Sequence, residues 1–467
     1  MNKVLNSIKE AIEAVSLKDG MCISFHHHLR NGDDVLNMVM STISEMGYHD
    51  ITVNASSLFD VHAPLIDHIK NSVVTGLECG YMSGRLARAI SLGILDKPVI
   101  FRTHGGRPAA LSRGEAHIDV AFIAAPTSDT MGNCTGKYGK SACGSLGYAY
   151  ADATYADKTV VITDNLLPYP ITDFSIDETK IDYVVPVESI GDPTGIISGT
   201  TRITRDPVGL IMAQYAVRVM DAAGMIKDGI SFQTGAGGAS LAAAQYLANI
   251  MKMRGIKGGF GLGGITGYLV DMLNDGLFES LLDVQCFDLK AVESIRNNRK
   301  HREISAMQYA SPAAKSAAVD SLDVVILGAT EIDTDFNVNV HTDSNGYIIG
   351  GSGGHSDTAA GAKLSMIIAP LTRARLSIVV DKVDCVSTKG STIDVLVTQR
   401  GIAVNPGNVE LTERLKDAKL PIYDIGELRD SALRLTGKPK KAPHGARIVA
   451  KVIYRDGTLL DNIFSVR

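Results

Sequence analysis

The chain reads as an α/β protein: two tandem, similar domains, each a mainly parallel sheet flanked by helices, with a β-hairpin at the C-terminal end. Three observations predict this. Short apolar runs hand over to loops and then to helical patterns along both halves. Two segments of the first half recur in the second at nearly equal offsets. Asp456-Gly457 sits between apolar runs at Arg447–Tyr454 and Leu459–Val466, which is a hairpin signal.

From the start, Met1 to Val15 is amphipathic, with Val4, Leu5, Ile8, Ile12 and Val15 on one helical face, unlike a signal peptide. Asp19-Gly20 leads into Ile23-Ser24-Phe25, and Asp228-Gly229 leads into Ile230-Ser231-Phe232, with the apolar triplets 207 residues apart. After Phe25, a loop from His26 to Asp33 precedes Val35, Leu36, Val39, Met40 and Ile43 at helical spacing. After Phe232, Gln233 to Ser240 precedes Leu241, Ala244, Leu247 and Ile250. Ile118-Asp119-Val120 through Ala125, with Asp129 and Asn133, returns 204 residues later as Leu322-Asp323-Val324 through Ala329, with Asp333 and Asn337. Length alone suggests about three domains. The repeat argues for two, 1–195 and 196–467, joined through Ile190 to Pro207, a stretch holding Gly191, Pro193, Gly195 and Gly199.

Composition narrows the function. Hydrophobic residues at 45% fit a packed core, and a net charge of −5 leaves no basic footprint for nucleic acid. Lys438, Lys440 and Lys441 form only a small cluster, read as a solvated loop. The six cysteines contain no CxxC pair, which argues against a zinc site or a disulfide framework and fits a reduced cytosol. No apolar run approaches the ~20 residues that cross a bilayer. A cytoplasmic protein without membrane or metal is expected.

Chemistry points to the loops. Thr234-Gly235-Ala236-Gly237-Gly238-Ala239-Ser240 follows a strand and opens a helix, so its N–H groups suit a phosphate or an oxyanion of acyl transfer. It is a poor dinucleotide fingerprint, because Ser240 takes the third glycine's place and Gly255 stands where an acid belongs. Glycine runs at Gly258–Gly264 and Gly350–Gly354, the latter followed by His355, Ser356 and Asp357, also fall where strands should end. In the first half, His26-His27-His28-Leu29-Arg30 suits a multiply charged anion at a helix N-terminus better than a metal, because consecutive side chains point apart. Phe101-Arg102-Thr103-His104-Gly105-Gly106-Arg107 is a second cationic loop.

With these residues in view, the chain resembles the CoA-transferase superfamily, through Asp323–Ala329, Glu331-Ile332-Asp333, Asn337-Val338-Asn339 and the glycines at Gly351–Gly354. Within it, the chain resembles the α-chain family of bacterial citrate lyases, and nearly the whole chain carries that likeness. Its first-half residues are Ser24-Phe25-His26-His27, Arg30, Gly32-Asp33 and His62-Ala63-Pro64-Leu65. In the second half they are Gln233-Thr234-Gly235, Gly237–Ala242, Gly263–Thr266, Leu282–Gln285, Gly354-His355, Asp357-Thr358 and Gly401–Pro406. The resemblance implies a CoA-transferase-like fold. It implies exchange of the acetyl group of a carrier thioester for citrate, giving citryl thioester and acetate. It also implies a β (lyase) chain and a γ (acyl carrier) chain as partners, with a homo-oligomer inside the complex. The substrate thioester would be acetyl-CoA or the carrier's CoA-like prosthetic group, with no cofactor bound covalently to this chain.

Related CoA-transferases attack with a glutamate after the second strand of the second domain, but no glutamate occurs between Ile256 and Phe278. Citrate itself is then the expected nucleophile. Oxyanion donors are expected at Gly235, Gly237 and Gly238 or at Gly351, Gly353 and Gly354. His26, His27, His28, Arg30, His104, His355 and Asp357 are the expected substrate-binding residues. Glu331, whose first-half counterpart is Thr127, is a rival nucleophile with a competing structural reading, and Asp271 a weaker one. Alternatives are an acyl-CoA hydrolase, a transferase for another small acid, and a metabolite sensor. No helix-turn-helix pattern supports the sensor.

Overall fold

The computed structural model describes residues 3–197, 202–438 and 444–467; Gly199 of the joint, and Lys440 and Lys441, lie outside them. Two large sheets carry the fold. The first places Cys22–Phe25 at its centre, with Ile51–Ala55, Val74–Cys79 and Val99–Arg102 on one side. Val120–Ala124, Lys158–Thr163 and Tyr183–Pro186 lie on the other, all parallel. The second repeats the plan around Ser231–Thr234. Gly258–Ile265, Phe278–Cys286 and His301–Glu303 flank it on one side, and Val324–Leu327, Leu364–Ile368 and Val395–Val397 on the other. Each Ile-Ser-Phe triplet thus supplies the strand at which winding reverses, and ligands collect beyond the carboxyl ends of such strands.

The repeated polar residues hold this plan together. Asp119 accepts the Cys22 N–H at 2.7 Å, and Asp323 accepts the Ser231 N–H at 2.9 Å, which locks each central strand to its neighbour. Asp129 accepts the N–H groups of Met131, Gly132 and Asn133, as Asp333 accepts those of Asp335 and Asn337. The duplicated Asp and Asn residues are turn-builders, which explains their recurrence without a catalytic role.

Three expectations are corrected. The N-terminal helix is Ile8–Ala14 and leaves out Val4 and Leu5 of the apolar face, Met1 and Asn2 lying outside the described residues: Ser7 caps it by accepting the Glu10 N–H at 3.1 Å, and Val4 forms a bridge to Val184. The second-half helix starts at Gly238 rather than Leu241, so Gly238 to Ser240 belong to its first turn, and it ends at Gly255 with φ 68°. The hairpin His444–Ile453 and Leu459–Val466 is present, but it adds to the first sheet. Ala450 to Ile453 pair in parallel with Val99 to Arg102, so a segment expected in the C-terminal half returns to the N-terminal one. No described helix is long and apolar enough to cross a membrane.

Candidate active site

The loops at the carboxyl ends of the two sheets face each other and are stitched by backbone bonds. His104 N–H donates to Gly353 O at 2.8 Å, Gly353 N–H to Gly80 O at 3.1 Å, and Ala306 N–H to Gly147 O at 2.8 Å. Glycine is required at Gly351, where a Cβ would lie 2.5 Å from Gly80 O and 2.7 Å from Tyr81 Cα. Asp357 reaches across as well. Its carboxylate accepts from the Thr103 hydroxyl and the Gly105 N–H, both at 2.9 Å, and pairs with Arg455 at 3.4 Å. Buried and fully engaged, Asp357 builds the seam rather than facing a substrate; burial pushes its carboxyl up to about 6.

The histidine loop is buried in this seam, not a surface loop. Asp192 N–H donates to Gly32 O at 2.8 Å and Asp34 N–H to Ile190 O at 3.1 Å, so the joint between the halves braces it. Asp33 accepts from Val35 N–H and Leu36 N–H at 3.3 and 3.4 Å and pairs with His62 at 3.0 Å. The helix N-terminus that the loop was expected to offer an anion is therefore occupied by Asp33. Nearby, Arg107 forms a buried two-pronged pair with both oxygens of Asp152, one of which also accepts Ser24 Oγ at 3.0 Å.

The expected cations divide by what they touch. Ala124 N–H donates to His26 Nε2 at 2.9 Å, which places that ring's proton on Nδ1, against His28 Nδ1. His355 is held at both nitrogens, by Thr388 Oγ1 at 2.8 Å and Gly328 O at 2.9 Å. These three rings position loops. His27, by contrast, stacks on His104 and Tyr148 with centroids 5.5 and 4.7 Å apart. The Ser56 hydroxyl lies 2.6 Å from His27 Nδ1 and also accepts the His27 backbone N–H at 3.1 Å, so Ser56 fixes the ring from its Nδ1 side. Among the described residues, neither His27 Nε2 nor either ring nitrogen of His104 has a hydrogen-bond partner.

Burial drives the imidazoles below their ordinary range: His26 to about 4, His104 to about 3, His355 to about 4, and His27 and His28 downward as well. They are neutral donors and acceptors at pH 7, so the pocket's charge rests on Arg30. Its guanidinium lies 5.1 Å from the centroid of Phe59 and 5.2 Å from that of Phe287. Among the described residues it has no carboxylate partner. Its backbone is left-handed, φ 54°, a strained setting for a non-glycine residue.

The glycine loops also differ. Gly353 touches His104, and Gly354 touches Tyr309, whose hydroxyl accepts Gln233 Nε2 at 2.9 Å. The recorded neighbours of Gly235 and Gly238 are Ile326, Arg202 and Thr204 instead. Two expected oxyanion donors are already engaged, Gly235 N–H on Ile326 O and Gly353 N–H on Gly80 O. Glu331 is buried, its Oε2 accepting Asn339 Nδ2 at 3.2 Å and Asp384 N–H at 3.3 Å. Asp271 pairs with Lys290 at the surface. Sequence reasoning missed the aromatic walls Phe59, Tyr148, Phe287 and Tyr309, which carry no motif signal. It also missed a buried trio, Asp283, Cys286 and His301, whose donor atoms lie within 4.8 Å of one another and could hold a metal ion.

Comparison with known proteins identifies the family. Residues 1–466 match the family model of the citrate lyase alpha subunit. The chain is 48% identical over 465 residues to the citrate lyase alpha chain of Haemophilus influenzae, covering 100% of this chain and 93% of that one. A solved structure described as the alpha subunit of citrate lyase from Streptococcus mutans, in complex with citrate, superposes with a TM-score of 0.98 at 50% identity, over 100% of this chain and 92% of that chain. A 4-hydroxybutyrate CoA-transferase from Porphyromonas gingivalis, 18% identical with a TM-score of 0.58 over 92% of this chain and 97% of that one, shares the fold. A family model matched over nearly the whole chain and full-length identity near one half show the kinship: the chain belongs to the family of citrate lyase alpha subunits.

Proposed function

We infer that this chain transfers a carrier or CoA thioester from acetate to citrate, working with a lyase chain and an acyl carrier chain. The observation that carries the reading is Arg30, a desolvated guanidinium with no carboxylate partner among the described residues, beside neutral His27 and His104. A citrate carboxylate supplies the missing partner, and the imidazoles hydrogen-bond its remaining oxygens without adding charge. A second citrate carboxylate then attacks the acetyl thioester carbonyl. The carbon–sulfur bond breaks, the thiolate leaves, and an acetyl–citryl anhydride forms. That thiolate attacks the citryl carbonyl and acetate departs with the bridging oxygen. Each tetrahedral oxyanion needs donors, and the N–H groups of Gly237, Gly238, Gly351 and Gly354 are the candidates. The placement of Glu331, engaged by Asn339 and Asp384, supports a route without a glutamyl-enzyme.

The test mixes the chain with acetyl-CoA and citrate and follows citryl-CoA and acetate by mass spectrometry, with borohydride added to trap a protein thioester. Citryl-CoA without an adduct is expected. An adduct on Glu331 would keep the activity and overturn the route. Thioester loss that does not need citrate would instead make the chain a hydrolase.

A further inference from the structure

We propose that the large cleft beside the active site binds the phosphorylated nucleotide end of the thioester substrate, whether free CoA or the carrier's CoA-like arm; the proposal rests on the transfer reading above. The cleft is about 950 Å³ and draws its walls from both halves, a size suited to a ligand of that class. Its charge is one-sided. Arg296 ends the helix Leu289–Asn297, Arg299 follows in a turn, and Arg302 lies on the strand His301–Glu303, and all three are exposed. Among the described residues none of the three has a carboxylate partner, whereas the neighbouring Lys290 and Lys300 are paired with Asp271 and Glu279.

The acids of the cleft do not neutralise them. Asp173 is engaged by Lys137 at 2.6 Å and Tyr138 at 2.8 Å, and Glu303 accepts Ser175 Oγ at 2.8 Å and the Leu146 N–H. Guanidinium groups so arranged favour phosphates, which they grip with two parallel hydrogen bonds. The other wall is aromatic: Tyr150, Tyr155 and Phe174 are each at least a third exposed, at 37%, 37% and 42%. Exposed rings in the same cleft as arginines suit a base that stacks while its phosphates are held.

The cleft also lies where the chemistry needs it. Gly147 and Gln308 line it, and their sequence neighbours Tyr148 and Tyr309 wall the active site. One partition, stapled by the bond from Ala306 N–H to Gly147 O, therefore separates nucleotide end from acyl end.

Binding calorimetry with CoA and with pantetheine, on the full chain and its R299A/R302A and R299K/R302K variants, tests this without turnover. CoA affinity should fall 10- to 100-fold in the alanine variant and recover in part with lysine, while pantetheine affinity falls far less. Equal CoA affinity in all three proteins, or equal losses for CoA and pantetheine, would overturn the proposal. Kinetics then identify the source. A raised KM for acetyl-CoA and acetyl-carrier alike supports a site used by both, and a raised KM for the carrier alone supports the carrier's arm. Wild-type chain that binds CoA through these arginines yet makes no citryl thioester would sink the transfer reading and leave the nucleotide site standing.

Discussion

A guanidinium held between two phenyl rings keeps less water than an exposed one, so it gains more from a carboxylate that reaches it. Arg30 is in that state. Hydrogen bonds to charged groups contribute about 1.5–3 kcal/mol, so Arg30→Ala should raise the citrate KM ~10- to 100-fold in steady-state assays. Arg30→Lys should restore only part, because an ammonium cannot present the planar fork. The Arg107–Asp152 pair calls for a different measurement, since its partners are buried and hold Asn54 and Ser24 rather than a substrate. Asp152→Ala leaves a buried charge unpaired and should destabilise the fold by about 3–5 kcal/mol in denaturant unfolding.

Among the elements, the loop Gly350–Gly354 decides how the halves meet, for it touches Gly80, Tyr81, His104 and Tyr309. Gly351→Ala would drive a Cβ into backbone on the first-half side, where nothing can rotate away. A displacement of about 1 Å between reacting groups costs on the order of 100-fold in rate. The variant should therefore lose kcat for transfer while its citrate KM changes less, read by initial rates at saturating citrate. The helix Gly238–Arg254 carries the second glycine set, and the first N–H groups of any helix are unpaired and face an anion favourably. Gly238→Ala brings a Cβ to 3.0 Å from Arg202 O and so tests that second set.

At the scale of the molecule, burial of imidazoles couples stability to pH. His26, His104, His341 and His355 are held at about 4, 3, 3 and 4 in the fold and return to about 6.5 on unfolding. Between those values the unfolded chain binds more protons, so this stability is complete above about pH 6.5 and is lost as pH falls toward 3. Asp357, raised to about 6, works oppositely: its contribution is present below its unfolded value and lost as pH rises through 6. Four histidines outweigh one carboxylate. The melting temperature should decline from pH 7 to pH 4.5, checked by calorimetry at fixed ionic strength. A flat or rising profile toward acid would contradict the burial of these rings.

Local chemistry explains what could be read without coordinates. Alternating strand and helix patterns, two Asp-Val repeats at one offset, and glycines after strands all act over a few residues, so the sequence by itself determined the doubly repeated α/β plan, the C-terminal hairpin and the family. The missing glutamate after Gly263 was legible in the same way. What the tertiary structure decided was set by contacts distant in sequence. It returned the hairpin to the first sheet, because Val99–Arg102 had an edge free for parallel pairing. It also sorted the expected substrate-binding set into Arg30, His27 and His104 at the seam and His26, His28, His355 and Asp357 within the framework. Whether a histidine carries charge depends on what buries it, and whether a glycine N–H is free depends on which carbonyl reaches it. Neither follows from spacing along the chain, because both are fixed only when the two halves close on each other.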